Sequence, residues 1–150
     1  MDRFSTLFLE KSNAIVRGKK VSMQLNLEKY ELANKWLCLQ NNNISILHYL
    51  KAREIKKIII YGASEFAVRL LEQHAKENNI VEIIGIGDKK ISSRGAYYKN
   101  IPLLSISDIM ETNMEELCVI ITAMGFYKEI LGELRERGIT NIISLRELIY

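Results

Sequence analysis

A doubly wound α/β fold around a parallel five-stranded sheet is predicted for this chain by three features of its sequence. From Lys57 onward, short apolar runs alternate with segments of helical period. The first run, Ile58-Ile59-Ile60-Tyr61, meets Gly62-Ala63-Ser64 at once, and a helix-period segment follows. The second run, Ile80 to Ile86, closes on Gly87-Asp88. Strand, tight turn, helix, strand and terminal acid make a βαβ unit, and its repetition puts crossover helices on both faces of one sheet. The expected strand order is 3-2-1-4-5, the doubly wound arrangement called Rossmann-like.

The elements follow in chain order. Residues 1–24 show no firm period and read as an irregular or partly helical arm. Asn26 suits an N-cap, and Tyr30, Ala33, Trp36 and Leu37 recur at helical spacing to about Leu39. Gln40-Asn41-Asn42-Asn43 breaks the pattern; Ser45 then caps a short helix ending near Arg53, with Ile46, Tyr49 and Leu50 facing inward. Neither helix can bury an apolar stripe alone. Residues 1–55 are therefore read as an arm and hairpin packed on a nucleotide-binding type of domain at 56–150.

Strand one spans about 57–61, the first crossover helix 65–77 and strand two 81–87. Lys89 to Asn100 is charged and polar and reads as a surface loop. Ile101-Pro102-Leu103-Leu104 reads as an edge strand, where a proline lacking its N–H is tolerated. Ser107-Asp108 opens a short helix to about Glu111, and Leu117 to Thr122 is a continuous apolar run of the buried-strand kind. Phe126 to Arg137 is amphipathic, with Ile130, Leu131 and Leu134 inward and Gly138 as its stop. Asn141 to Leu145 makes the fifth strand, and Arg146 to Tyr150 a last helical turn.

With 150 residues, 48% of them hydrophobic and 26% charged, the chain can bury a sizeable core without disulfides or metal. Cys38 and Cys118 have no metal or CxxC spacing, and Met1 to Phe4 lacks the pattern of an export signal, so a cytoplasmic protein with reduced thiols is expected. No apolar run approaches the roughly 20 residues of a membrane span. Charge is uneven: residues 1–56 hold ten Lys/Arg against five Asp/Glu, and residues 57–150 hold eleven against thirteen. The basic knot Arg17-Gly18-Lys19-Lys20 lacks the interleaved aromatics of a nucleic-acid surface and reads as a solvated segment.

In such a sheet a ligand sits at the carboxyl ends of the strands, where the order reverses. Three loops converge there: Gly62, Ala63, Ser64, Glu65 and Phe66; then Asp88 and Lys89; then Ala123, Met124 and Gly125. Gly62 fits the sharp reversal of a phosphate turn, whose N–H groups and helix N-terminus suit a diphosphate. The pattern is G-x-S-x-x-A rather than G-x-G-x-x-G, with Ser64 and Ala67 in the second and third glycine positions. Asp88, 26 residues after Gly62, is placed to accept ribose hydroxyls. Alternatively, Asp88 bonds its own loop backbone. Glu65 favours the helix dipole but repels a diphosphate. No catalytic set emerges: Tyr97-Tyr98-Lys99 and Tyr127-Lys128 lack Tyr-x-x-x-Lys spacing, and His48 and His74 pair with no cysteine or carboxylate cluster. No metal site is expected.

KKIIIYGASEFAVRLLEQ, IIGIGDKK, NIPLLSISDI, CVIITAMGFYKEI and GITNIISLREL together resemble a Rossmann-like module of bacterial polysaccharide biosynthesis proteins. They are similar to the N-terminal domain of polysaccharide-type nucleotide-sugar epimerase/dehydratases and of sugar acetyltransferases. The likeness spans about residues 27–150 and includes the helical lead-in KWLCLQNNNISILHYL. It implies binding of NAD, NADP or a nucleotide-sugar, with Gly62, Ser64 and Asp88 at the matching positions. Ser64 and Ala67 depart from the family's G-A-G-x-x-G turn, and the family's catalytic residues lie on a longer core. The rival reading is a non-enzymatic interaction module with a vestigial crevice, whose hairpin, through Trp36 and Leu37, docks a partner glycosyltransferase or a second copy in a homo-oligomer. A methyltransferase using S-adenosylmethionine ranks lowest, because the chain ends at the fifth strand.

Overall fold

A computed structural model describes residues 3, 5–7, 20–78, 80–91 and 95–150 of the chain. Residues 17–19 of the basic knot Arg17-Gly18-Lys19-Lys20 and most of the expected arm lie outside them. Helix α1 runs Lys20–Asn41 and α2 Ile46–Ala52, followed by strand β1 at Lys57–Tyr61 and helix α3 at Glu65–Lys76. Strand β2 (Glu82–Gly87), β3 (Tyr97–Tyr98), β4 (Ile101–Leu104), helix α4 (Ile106–Met110) and β5 (Leu117–Ile121) come next. Helix α5 (Tyr127–Glu136), β6 (Ile142–Ser144) and α6 (Leu145–Ile149) complete the chain.

Among the described residues one sheet of six strands has the order β3-β4-β2-β1-β5-β6. The architecture is α/β and mostly parallel, of the Rossmann-like kind; the strand count and hence the full order differ from the five-strand expectation. The difference is β3. It pairs antiparallel with β4, Tyr97 against Pro102 and Tyr98 against Ile101, so β4 is not an edge strand. The turn between them is Lys99-Asn100, both left-handed at φ 48° and 67°. Two consecutive left-handed residues are the signature of the two-residue hairpin turn whose twist matches the strands. The polar composition that reads as a surface loop is thus partly a hairpin.

Burial on both faces explains why β1 and β5 are unbroken apolar runs. Ile58 and Ile60 join one core with Leu32, Trp36, Leu47, Leu50, Leu70 and Leu148, under α1, α2, α3 and α6. Ile59 and Tyr61 point the other way and pack with Ile109, Ile130 and Leu134 under α4 and α5. Helices therefore cover both faces. The hairpin contributes Leu32, Trp36, Ile46, Leu47 and Leu50 to the first core rather than forming one of its own. No helix among the described residues is long and apolar enough to cross a membrane.

Three local expectations are corrected. Asn26 is not an N-cap: α1 already runs from Lys20, and half-buried Leu25, one residue ahead of Asn26, packs near Gly125. Of the four residues that marked this helix, Trp36 is buried, while Tyr30, Ala33 and Leu37 are exposed. Tyr49 is also exposed, with Ile46, Leu47 and Leu50 filling the inner face of α2. Finally, α4 is capped by Ser105, not Ser107: Ser105 and Asp108 exchange a full capping box.

Candidate functional site

The carboxyl edge of the sheet begins with a reversal that only glycine can make. Gly62 has φ +113°, and a Cβ there would lie 2.9 Å from the Cβ and 3.1 Å from the nitrogen of Ala123. The β1–α3 turn and the loop after β5 are therefore in direct contact. Thr122 ties them: its hydroxyl donates to the Gly62 carbonyl at 2.8 Å and lies 3.2 Å from that of Tyr61, while its N–H donates to the Tyr61 carbonyl. From the other side, the Gly62 N–H donates to the Gly87 carbonyl at 2.9 Å.

Asp88 turns inward. It is fully buried, one carboxylate oxygen accepting from the Ala63 N–H at 2.8 Å and the other from the Lys90 N–H at 3.0 Å. The acid at the end of β2 thus holds the phosphate-type turn to its own loop, and a backbone N–H that a diphosphate would use already has an anion. Ser64 is likewise engaged. It caps α3 by accepting from the Ala67 N–H at 3.4 Å and donates to the Thr122 carbonyl at 3.3 Å.

Helix α1 lies across the remainder. Lys29 pairs with Glu65, in the first turn of α3, at 2.8 Å. Leu25 sits over the next loop, its methyl 3.0 Å from where a Gly125 Cβ would be. Phe66 is buried against Trp36, ring centroids 6.4 Å apart. Trp36 donates to Gln73 at 2.6 Å, and Gln73 and Ser45 both reach Glu77, so α1, the α2 cap and α3 are locked together. Lys89 projects to Glu133 of α5 at 3.2 Å.

Two concavities flank this closed centre. One, of about 1130 Å³, is an open groove between α1 and α3, floored by Trp36, Phe66 and Gln73. The other, of about 430 Å³, lies past the ends of β5 and β6, among Glu28, Met124, Gly125, Tyr127, Lys128 and Arg146. The α5 helix that borders it begins just after Phe126, which gives it no side-chain cap. In its wall Tyr127 donates to Glu147 at 3.0 Å; loss of solvent and that acceptor both push its phenol up.

The ten expected residues are therefore adjacent but do not form one cavity. Gly62, Ala63, Ser64 and Asp88 build the sealed turn, Glu65 and Phe66 face the α1–α3 groove, and Ala123, Met124 and Gly125 border the β5–β6 cavity. Lys89 is drawn to α5. The residues that sequence reasoning missed are Thr122, Leu25 and Lys29. Thr122 carried a weak signal, a lone hydroxyl closing an apolar strand; Leu25 and Lys29 carried none, because their role depends on where α1 crosses. Of the remaining chemistry-bearing groups, His74 Nε2 lies 2.6 Å from the Val81 carbonyl, Cys38 is exposed, and burial raises the Cys118 thiol to about 11.

Comparison of the chain with family models, with curated proteins and with solved structures finds no match.

Proposed function

We propose that this chain is an interaction module: a Rossmann-like frame that holds a helical hairpin in place, with the dinucleotide crevice used as architecture. The observation that carries the reading is the double engagement of buried Asp88, on the Ala63 and Lys90 N–H groups. A ribose would have to displace the very bonds that shape the turn, and a buried carboxylate stripped of its donors costs about 1–3 kcal/mol or more. The resemblance of its segments to polysaccharide-biosynthesis modules sets the expected context, surface-polysaccharide or nucleotide-sugar metabolism.

A second reading is favoured by one feature, the cavity of about 430 Å³ past β5 and β6, which is within the size range of small-ligand pockets. Lys128 and Arg146 there offer cations to the phosphate of a nucleotide, a nucleotide-sugar or NAD(P), while Glu28 and Glu147 oppose them. A thermal-shift panel of NAD, NADH, NADP, a UDP-sugar, coenzyme A, S-adenosylmethionine and ATP decides between the two. The interaction reading expects a flat panel. A selective rise, corresponding to roughly 2.7 kcal/mol at about 100 times the dissociation constant, would replace it with the ligand reading.

A further inference from the structure

Helix α1 carries apolar side chains on two opposite faces, and the domain covers one of them. Leu32 and Trp36 are buried and Leu25 and Leu39 half-buried against the body. On the other side Met23 is 74%, Leu27 57%, Tyr30 68% and Leu37 54% exposed. With Asn34 and Asn41, both exposed, these residues are spaced by four, three, four, three and four along the helix. That is the heptad seam of a coiled coil, with Leu27, Asn34 and Asn41 in the first core position and Met23, Tyr30 and Leu37 in the second.

We propose that this seam pairs with the same seam of a second copy, in parallel and in register, to make a homodimer. The inference rests on the interaction reading and names its partner. Three observations select a second copy. First, an in-register parallel copy sets Asn34 against Asn34 and Asn41 against Asn41, so each amide meets an amide; a buried asparagine at this position is the device that fixes register in two-stranded coils. The antiparallel arrangement would set Asn34 against Tyr30 and Asn41 against Met23, leaving both amides against apolar groups. Second, the flanking positions hold Gln24, Glu31, Cys38, Asn26, Ala33 and Gln40. One charge per copy gives little repulsion, and the parallel pairing places Glu31 beside Asn26 rather than beside its own equivalent. Third, the area suffices: Met23, Leu27, Tyr30 and Leu37, with exposed Asn34 and Asn41 between them, offer on the order of 600 Å² per copy, about the lower bound for a stable two-sided interface. Because the body packs on the opposite face of α1, two copies related by a two-fold axis along the helix hold their domains apart.

The test is the solution mass of the intact chain by sedimentation equilibrium between about 1 and 100 µM, beside Leu27→Glu/Leu37→Glu. Twice the chain mass for the parent is expected, falling to the single mass in the variant with its far-UV circular dichroism unchanged. A parent that stays monomeric, or a dimer indifferent to both charges, would overturn the proposal. Orientation is read separately, in a Cys38→Ser background, by oxidative cross-linking. Leu37→Cys should link to itself, whereas preferential linking of Met23→Cys to Asn41→Cys would mean the antiparallel pairing and sink the parallel one. Should the double variant fail to fold, the Leu37→Cys cross-link alone decides. A monomeric chain with a flat ligand panel would remove the dimer but leave the interaction module. A dimer that also takes up a nucleotide would remove the closed-crevice reading and leave the dimer.

Discussion

Strands β1 and β5 are neighbours in the sheet, in parallel register from Lys57–Leu117 to Tyr61–Ile121, yet they enter their helices by turns of opposite character. After β1 the turn is sealed: Gly62 has a positive φ that a side chain would strain and lies close against Ala123, Ala63 donates to buried Asp88, and Ser64 caps α3. After β5 the turn is open: Gly125 is exposed, Phe126 provides no side-chain cap, and a cavity adjoins. The motif-bearing turn is the one whose Ala63 N–H already has an acceptor within the chain. A glycine motif at the end of a strand reports a required backbone path; whether the path cradles a phosphate depends on what else reaches its N–H groups.

Substitutions on the two sides sharpen the contrast. The largest effect is expected from Gly62→Ala, which forces a side chain into a glycine-only conformation against Ala123; a loss of about 3 kcal/mol or more should appear in urea unfolding. Asp88→Ala should follow, at about 2–3 kcal/mol, since it orphans two backbone donors, one of them buried. A near-neutral result there would break the comparison, because it would mean that the acid is not what closes the turn.

Alkaline pH probes the strands beneath both turns. Burial raises the Cys118 thiol from 9.0 to about 11 and pushes the Tyr61 phenol, buried with no hydrogen-bond partner among the described residues, above its ordinary range. Above pH 9 the unfolded chain releases the thiol proton while the folded chain retains it, so stability falls as pH rises. The loss from Cys118 should reach on the order of 2 kcal/mol by pH 11 and vanish in Cys118→Ala relative to its own neutral-pH value. Ser64→Ala should lose about 1 kcal/mol, the worth of a helix cap. Gly125→Ala should be smallest, under about 0.5 kcal/mol, as only the end of the flexible Leu25 side chain must move. Equal losses at Gly62 and Gly125 would erase the distinction between the turns.

Much of this was legible residue by residue. The apolar runs at 58–61 and 117–121 are buried on both faces, and that double burial is what removes the polar alternation and makes a central parallel strand readable. The inner stripe of α5 is equally plain, because charge fills its other side. Helix α1 misled for the opposite reason. Apolar residues occupy both of its faces, so Tyr30, Ala33 and Leu37 read as one stripe with Trp36, and Leu32, buried on the same face as Trp36, was passed over. Strand β3 was hidden in polar composition, with Lys99-Asn100 as its weak turn signal.

From the sequence by itself came the α/β class, the reversal at Gly62 and the closeness of three loops at one edge of the sheet. These rest on local chain properties: period, backbone conformation and short-range order of elements. Only the tertiary structure decided that Asp88 faces inward, that Lys29 and Leu25 reach over the edge, and which stripe of α1 stays outside. Each depends on the direction in which a side chain or a helix meets a segment dozens of residues away, and such meetings leave no period in the chain that makes them.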